Sequence, residues 1–284
     1  MRLAFFGGIY SNSLALEAAL RDATGRGADA YYCLGDMGAF GPHPDRAIEL
    51  LREAGAICIQ GNYDDSIGND LEDCQCGYTD PRDNHFAKLS YDYTYSNTSA
   101  ENRAWLRELP VELRVEADGL HLLLCHGSPR MTNEFLWEST TSTHFLEKLC
   151  GGRDADADIV LGTHTGIHWQ RELKTGRRFV NVGVLGRPEN DGTTCVWYTL
   201  ISTGEHAKYA GKPNGAGATD TETTGGEQCR YDVEFVPVYY DHERLAAQMR
   251  AEKIPNEFIE TILTGWWTTC LEVLPAKERG RGYF

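Results

Sequence analysis

Three short apolar runs near the start of this chain each stop at glycine, and helical periodicity separates them. Residues 3–6 read as a strand halted by Gly7-Gly8. Ser11 or Asn12 is placed to cap the next element, and Leu14, Leu16, Ala18, Ala19 and Leu20 mark a helix to about Gly25. Residues 30–34 form a second strand ending at Gly35-Asp36, residues 44–54 a helix, and residues 56–60 a third strand ending at Gly61-Asn62. This β-α-β-α-β order predicts an α/β fold with a largely parallel sheet. Open α/β sheets bind ligands at the carboxyl ends of their strands, so the polar residues after those glycines are the first candidates for chemistry.

Beyond them, residues 65–100 read as an irregular, cap-like excursion with some helix. A helix over 100–109 stops at Pro110, and strands 111–116 and 120–125 make a hairpin around Asp118-Gly119. A helix over 143–149 and strands at 159–161, 179–182 and 194–201 come next. Residues 211–228, rich in Gly, Thr and acid, read as a flexible loop. A strand at 233–240 and helices at 243–252 and 256–263 open a C-terminal extension over 233–284, whose basic tail is expected to be extended. The 284 residues suffice for one large domain, and one domain over 1–284 is the expectation.

Composition narrows the function classes. Forty-two acidic against 27 basic residues leave a formal charge of −15, which disfavours duplex nucleic-acid binding. No run of about 18 apolar residues is present to span a membrane. The apolar start breaks at Gly7-Gly8, too early for a signal peptide, and nine cysteines in a chain this long suit reduced thiols. A cytoplasmic protein is expected.

Four signatures close apolar strands. They are Gly35-Asp36 with Gly41-Pro42, Gly61-Asn62-Tyr63-Asp64, Cys125-His126-Gly127 and Thr163-His164-Thr165. Asp36, Asn62, His126 and His164 each offer one oxygen or nitrogen ligand. Two imidazoles, a carboxylate and an amide oxygen suit a borderline divalent metal such as Mn, Fe or Zn better than Ca or Mg. Singly, each has a plainer reading: turn residues for Asp36 and Asn62, a hydrogen-bonded core histidine for His126.

Taken in order, the signatures resemble the calcineurin-like metallophosphoesterases, closest to their bacterial branch of small phosphodiesterases and diadenosine-tetraphosphatase-like proteins. The resemblance covers most of residues 1–200 and resumes over 233–265. It implies a four-layer αββα sandwich with two metals, built on D-x-H, G-D-x-x-x-x-G, G-N-H-[DE], a later histidine and G-H-x-H. Here D-x-H falls on Gly8-Ile9-Tyr10, and the second histidine of G-H-x-H falls on Gly166. Those are the private ligands of one metal. The set implied for the other (Asp36, Asn62, His126 and His164) is intact. The resemblance therefore implies one divalent transition metal and puts a second in doubt.

The family's catalytic histidine is Tyr63 in this chain, a poor acid-base group unless tuned. Asp64 beside it is a candidate orienting group or a turn carboxylate. Tyr10, Arg130 and His168 are candidates for contact with substrate; the plainer reading of Arg130 is a salt bridge, and of His168 a surface imidazole. Cys74 and Cys76 with His85 are a weak candidate for another metal site. Tyr78, Phe86, Tyr91, Tyr93 and Tyr95 could stack on a base or simply form a loop core. Trp266-Trp267 either packs the C-terminal helix or helps a homo-oligomer. The expected function is metal-dependent hydrolysis of a small phosphoester. The alternatives are a repurposed single-metal enzyme, a catalytically silent metal-binding module, or an interaction protein keeping the fold.

Overall fold

A computed structural model describes residues 1–152, 156–207 and 231–280. In chain order it contains β1 (Arg2–Phe6), α1 (Ser13–Gly25), β2 (Ala30–Cys33), α2 (Pro44–Glu53), β3 (Ile57–Cys58), α3 (Asn62–Gly68), α4 (Pro81–Asn97) and α5 (Ala100–Arg107). The hairpin β4 (Glu112–Ala117) and β5 (Leu120–Cys125), α6 (Thr143–Leu149), β6 (Ile159–Gly162), β7 (Trp169–Glu172), β8 (Arg178–Asn181) and β9 (Val196–Thr203) come after them. The chain ends with β10 (Tyr231–Val238), α7 (His242–Ala251), α8 (Asn256–Thr264) and α9 (Ala276–Arg279).

The strands form two five-stranded sheets, ordered β10-β9-β1-β2-β3 and β4-β5-β6-β8-β7. Both are mixed rather than largely parallel. β1-β2-β3 and β5-β6-β8 are the parallel centres, while β9, β10, β4 and β7 run antiparallel to their neighbours. Alternation along the strands assigns the layers. Leu3, Phe5, Leu122, Leu124, Ile159 and Leu161 meet between the sheets. Ala4 and Phe6 face the other way with Leu16, Ala19, Ile48 and Leu51 of α1 and α2. Val160 and Phe179 face Leu146 and Leu149 of α6. The result is the four-layer αββα sandwich.

Several sequence expectations need correction. The excursion is mostly helical, with irregular backbone confined to about 69–80. Asp80 caps α4 by accepting from Arg82 and Asp83 N–H, and Pro81 opens the first turn. Its β-branched and aromatic residues disguise a helix that buries Phe86, Ala87, Ser90, Tyr91 and Thr94 along one side. The edge strand β7 is short, with three of its four residues polar, and it forms by pairing with β8. The tail is helical at α9 rather than extended. Cys74 and Cys76 are joined by a disulfide, whereas the six other described cysteines are free and buried. The loop expected at 211–228 lies outside the described residues. No described helix is long and apolar enough to cross a membrane.

Candidate metal centre

Four strand ends, two from each sheet, converge. Asp36 follows β2, Asn62 follows β3, His126 follows β5 and His164 follows β6. The approach is tight. Gly35 lies at φ +90°, and a Cβ there would meet Gly61 N at 2.2 Å. A Cβ on Gly61 would meet Asp36 Oδ1 at 2.4 Å and His126 Cε1 at 2.9 Å. Only glycine lets these loops touch at this point.

The Nδ1–H of His126 donates to Leu34 O at 2.6 Å, across the two sheets. Because a carbonyl can only accept, Nε2 is left with its lone pair free for a ligand. That Nε2 lies 3.2 Å from Asp36 Oδ2 and 3.2 Å from His164 Nδ1. Two nitrogens bound tetrahedrally to one zinc-like ion stand about 3.3–3.4 Å apart, so this spacing fits a single metal. Asp36, His126 and His164 are all buried, with ligand atoms within 4.8 Å of one another. Asn62 Nδ2 donates to Cys74 O at 2.8 Å, while Asn62 Oδ1 is buried without a partner. His164 Nε2 is likewise buried and unpartnered. The orphaned Asn62 Oδ1 acceptor beside an Asp-His-His cluster is what a metal would satisfy, whereas His164 Nε2 carries the ring proton when Nδ1 ligates.

Electrostatics agree. Burial opposes ionisation of Asp36, but the His126 imidazole outweighs it and holds the carboxyl below the usual range. Burial also disfavours the His126 imidazolium, and Asp36 overrides it and draws the pKa up. His164 is pushed down to about 3 by burial and by the neighbouring His126, which keeps it neutral and ready to ligate. The His164 loop is pinned by Asn181, whose Nδ2 donates to Thr163 O and Thr165 Oγ1.

The other sequence candidates take varied places. Asp64 is fully buried and accepts from Asp36 N–H at 2.7 Å, Gly61 N–H at 2.9 Å and Met37 N–H at 3.1 Å. It clamps the two ligand-bearing loops together. Burial and the Asp36 charge push its pKa up to about 6. Tyr63 N–H donates to Asp36 Oδ1, but its hydroxyl donates to Ser90 Oγ of α4 at 3.0 Å and sits in the cap core. Burial raises that phenol well above its ordinary pKa. Arg130 is exposed, paired with Glu134 and stacked over Phe145. His168 pairs with Glu189 at 2.6 Å and packs between Trp197 and Phe235. His85 is exposed on α4, and the Cys74–Cys76 disulfide removes both thiols from the proposed second cluster. Tyr91, Tyr93 and Tyr95 direct their hydroxyls to Leu71 O, Glu252 and Asp70. They build the cap.

At the altered positions, aromatic rings take up the space. A Cβ on Gly8 would meet the Tyr10 ring at 2.4 Å, and one on Gly166 would meet the Trp267 ring at 3.6 Å. Arg187 lies against both rings, its guanidinium carbon 3.5 Å from the Trp267 centroid and 5.8 Å from that of Tyr10. Arg187 is the functional candidate that sequence reasoning missed. Its signal was available, since Gly186-Arg187 follows β8 and the apolar pair Val184-Leu185, the same placement as the other signatures.

A two-layered sheet core with a strand-end Asp-His-His cluster defines an α/β protein with a candidate metal site, and sequence comparison supplies its family. The family profile of the calcineurin-like phosphoesterase superfamily domain matches residues 1–203, and the chain belongs to that superfamily. It is 23% identical over 269 residues to a protein of Methanocaldococcus jannaschii, covering 93% of this chain and 98% of that one. Its fold is similar to that of a hypothetical protein from Pyrococcus horikoshii OT3, with TM-score 0.70, 21% identity, and coverage of 94% of this chain and 99% of that chain. A metallophosphoesterase from Sphaerobacter thermophilus is similar with TM-score 0.64, 23% identity, and coverage of 93% and 99%.

Proposed function

We propose that this protein is a metal-dependent hydrolase of a small phosphoester, working with one divalent transition metal held by Asp36, Asn62, His126 and His164. The observation that carries this reading is His126 Nε2 standing 3.2 Å from both Asp36 Oδ2 and His164 Nδ1, together with the unpartnered Asn62 Oδ1. A bound Mn, Fe or Zn ion would lower the pKa of a water and polarise a phosphoryl oxygen. The chain's own groups do the rest. Leu34 O orients His126, Asn181 holds the His164 loop, and Asp64 holds the Asp36 and Asn62 loops together. Phe135, with its ring 4.5 Å from that of His164, helps exclude water. The rings beside Gly8 and Gly166 support a count of one metal rather than two.

One observation favours a second reading, a metal-binding module without turnover. The ligands are only 1–8% exposed, and the Tyr63 hydroxyl is committed to Ser90. The test is to purify the protein without added metal, count metals per chain, and assay phosphodiester and phosphomonoester hydrolysis with and without Mn. About one metal per chain with Mn-dependent turnover supports the hydrolase. Two metals per chain would overturn the single-site reading, and one metal with no turnover would select the silent module.

A further inference from the structure

Arg187 is only 6% exposed, yet no carboxylate lies within ion-pairing distance of it among the described residues, and its Nε has no hydrogen-bond partner. Three aromatic faces hold the guanidinium: Trp267 at 3.5 Å, Phe40 at 5.2 Å and Tyr10 at 5.8 Å from its carbon. The titratable groups facing it are the Cys270 thiol, His164 and the phenols of Tyr10 and Tyr78, none of them a carboxylate, and burial pushes both phenols up, so they stay neutral. Aromatic rings attract a cation but do not neutralise it. A buried cation without a counter-ion is strongly unfavourable unless something else supplies the negative charge.

Two further features say what that something is. Arg187 lines a narrow cleft whose other walls include Phe40, Leu245, Met249, Phe258, Ile262 and Thr269. The cleft is therefore mostly apolar, with one fixed cation and the side chains of Thr261 and Thr269. Arg187 also stands beside the candidate metal centre: its guanidinium stacks on the Trp267 ring, and a Cβ on Gly166, two residues after His164, would meet that ring at 3.6 Å. The rings that bound it are those filling the space beside Gly8 and Gly166, where the family resemblance puts the first metal.

We infer that Arg187 is an anion-binding residue that supplies the positive charge of the missing metal, and that its cleft takes the apolar half of a phosphate monoester or diester. The planar guanidinium can give two parallel N–H donors to two phosphoryl oxygens, which a point charge cannot. Calling the anion a substrate's phosphoryl group rests on the hydrolase reading; the anion site itself does not.

The test uses full-length, chelator-treated protein, so that no metal contributes to binding. Phenyl phosphate, inorganic phosphate and phenol are titrated calorimetrically into wild type, Arg187→Met and Arg187→Lys. Phenyl phosphate is expected to bind wild type most tightly, and Arg187→Met to bind it at least about tenfold more weakly, with Arg187→Lys between. Ligand-free Arg187→Met is expected to melt no lower than wild type, because an uncompensated charge has gone, and to gain no thermal protection from phenyl phosphate. Equal affinity of wild type and Arg187→Met for phenyl phosphate would overturn the proposal. So would equal affinity of wild type for phenol and phenyl phosphate, a comparison that needs no variant to fold. Counting metals on the untreated protein separates the two ideas. Failure to take up metal sinks the hydrolase reading and leaves the anion titration intact, whereas normal uptake with no Arg187 effect sinks the anion site alone.

Discussion

Asp64 offers the sharpest trial of how the centre is built, because a catalytic carboxylate and a structural clamp respond oppositely to substitution. Its Oδ2 accepts from Asp36 and Gly61 N–H, and its Oδ1 accepts from Met37 N–H. Asp64→Ala strands three buried N–H groups, each costing about 1–3 kcal/mol unsatisfied. With partial relaxation the expected loss is about 3–6 kcal/mol, a large part of the roughly 5–15 kcal/mol a domain possesses. Asp64→Asn can keep its oxygen at the Oδ2 position and present its NH₂ to Met37, so it loses one bond and about 1–3 kcal/mol. Urea unfolding of metal-free protein at pH 7 would measure both. The pH dependence adds a check. Burial and the Asp36 charge raise the Asp64 pKa to about 6. The native state therefore holds this proton more tightly than the unfolded chain. That stabilisation is fully present below the unfolded pKa of about 3.9 and lost as pH rises through about 6. Wild type should gain stability relative to Asp64→Asn between pH 7 and pH 5. Variants within about 0.5 kcal/mol of wild type, with metal-loaded turnover abolished, would refute the clamp and make Asp64 an acid-base group.

Other expectations rest on the same geometry. His126→Ala and His164→Ala should each leave the purified chain without bound metal by elemental analysis; normal content in both would remove them as ligands. Because Asp36 raises the His126 pKa against burial, protons compete for Nε2 from a higher pH than at an ordinary histidine. Metal affinity, read with a competing chelator, should fall by about one log unit per pH unit below that pKa, and a flat profile from pH 8 to pH 5 would contradict this. Tyr63→Phe removes the bond to Ser90 and a long one to Ala87 O, so it should cost about 1 kcal/mol in urea unfolding and leave any Mn-dependent turnover nearly unchanged. A collapse of turnover at constant stability would make Tyr63 the proton donor.

Much of the fold was legible because its signals are local. The helix over Thr143–Leu149 and the Asp118-Gly119 hairpin turn coincide with the expected positions, and Asn12 caps α1 by accepting from Ala15 N–H. The strand-end candidates Asp36, His126 and His164, which the structure brings together, were legible because each comes after an apolar run that stops abruptly. The features that were missed depend on distant partners. β7 has no alternating pattern and exists by pairing with β8. α4 carries residues that favour strands, and the apolar residues around Phe86 and Phe258 hold it as a helix.

By itself, the sequence determined which residue types stand at the strand ends, because a strand needs an apolar run and a sharp stop needs glycine. It also put Asp36, Asn62, His126 and His164 where the family resemblance implies one metal's ligands, and Gly8, Tyr10 and Gly166 where it implies another's. Only the tertiary structure decided what stands in the second place. Tyr10, Arg187 and Trp267 are separated by 177 and 80 positions in the chain, and no periodicity connects them. They meet because folding brings the loop after β1, the loop after β8 and the segment after α8 together around one buried guanidinium. A charge removed from water needs a partner, and which groups surround it is a property of packing rather than of order along the chain.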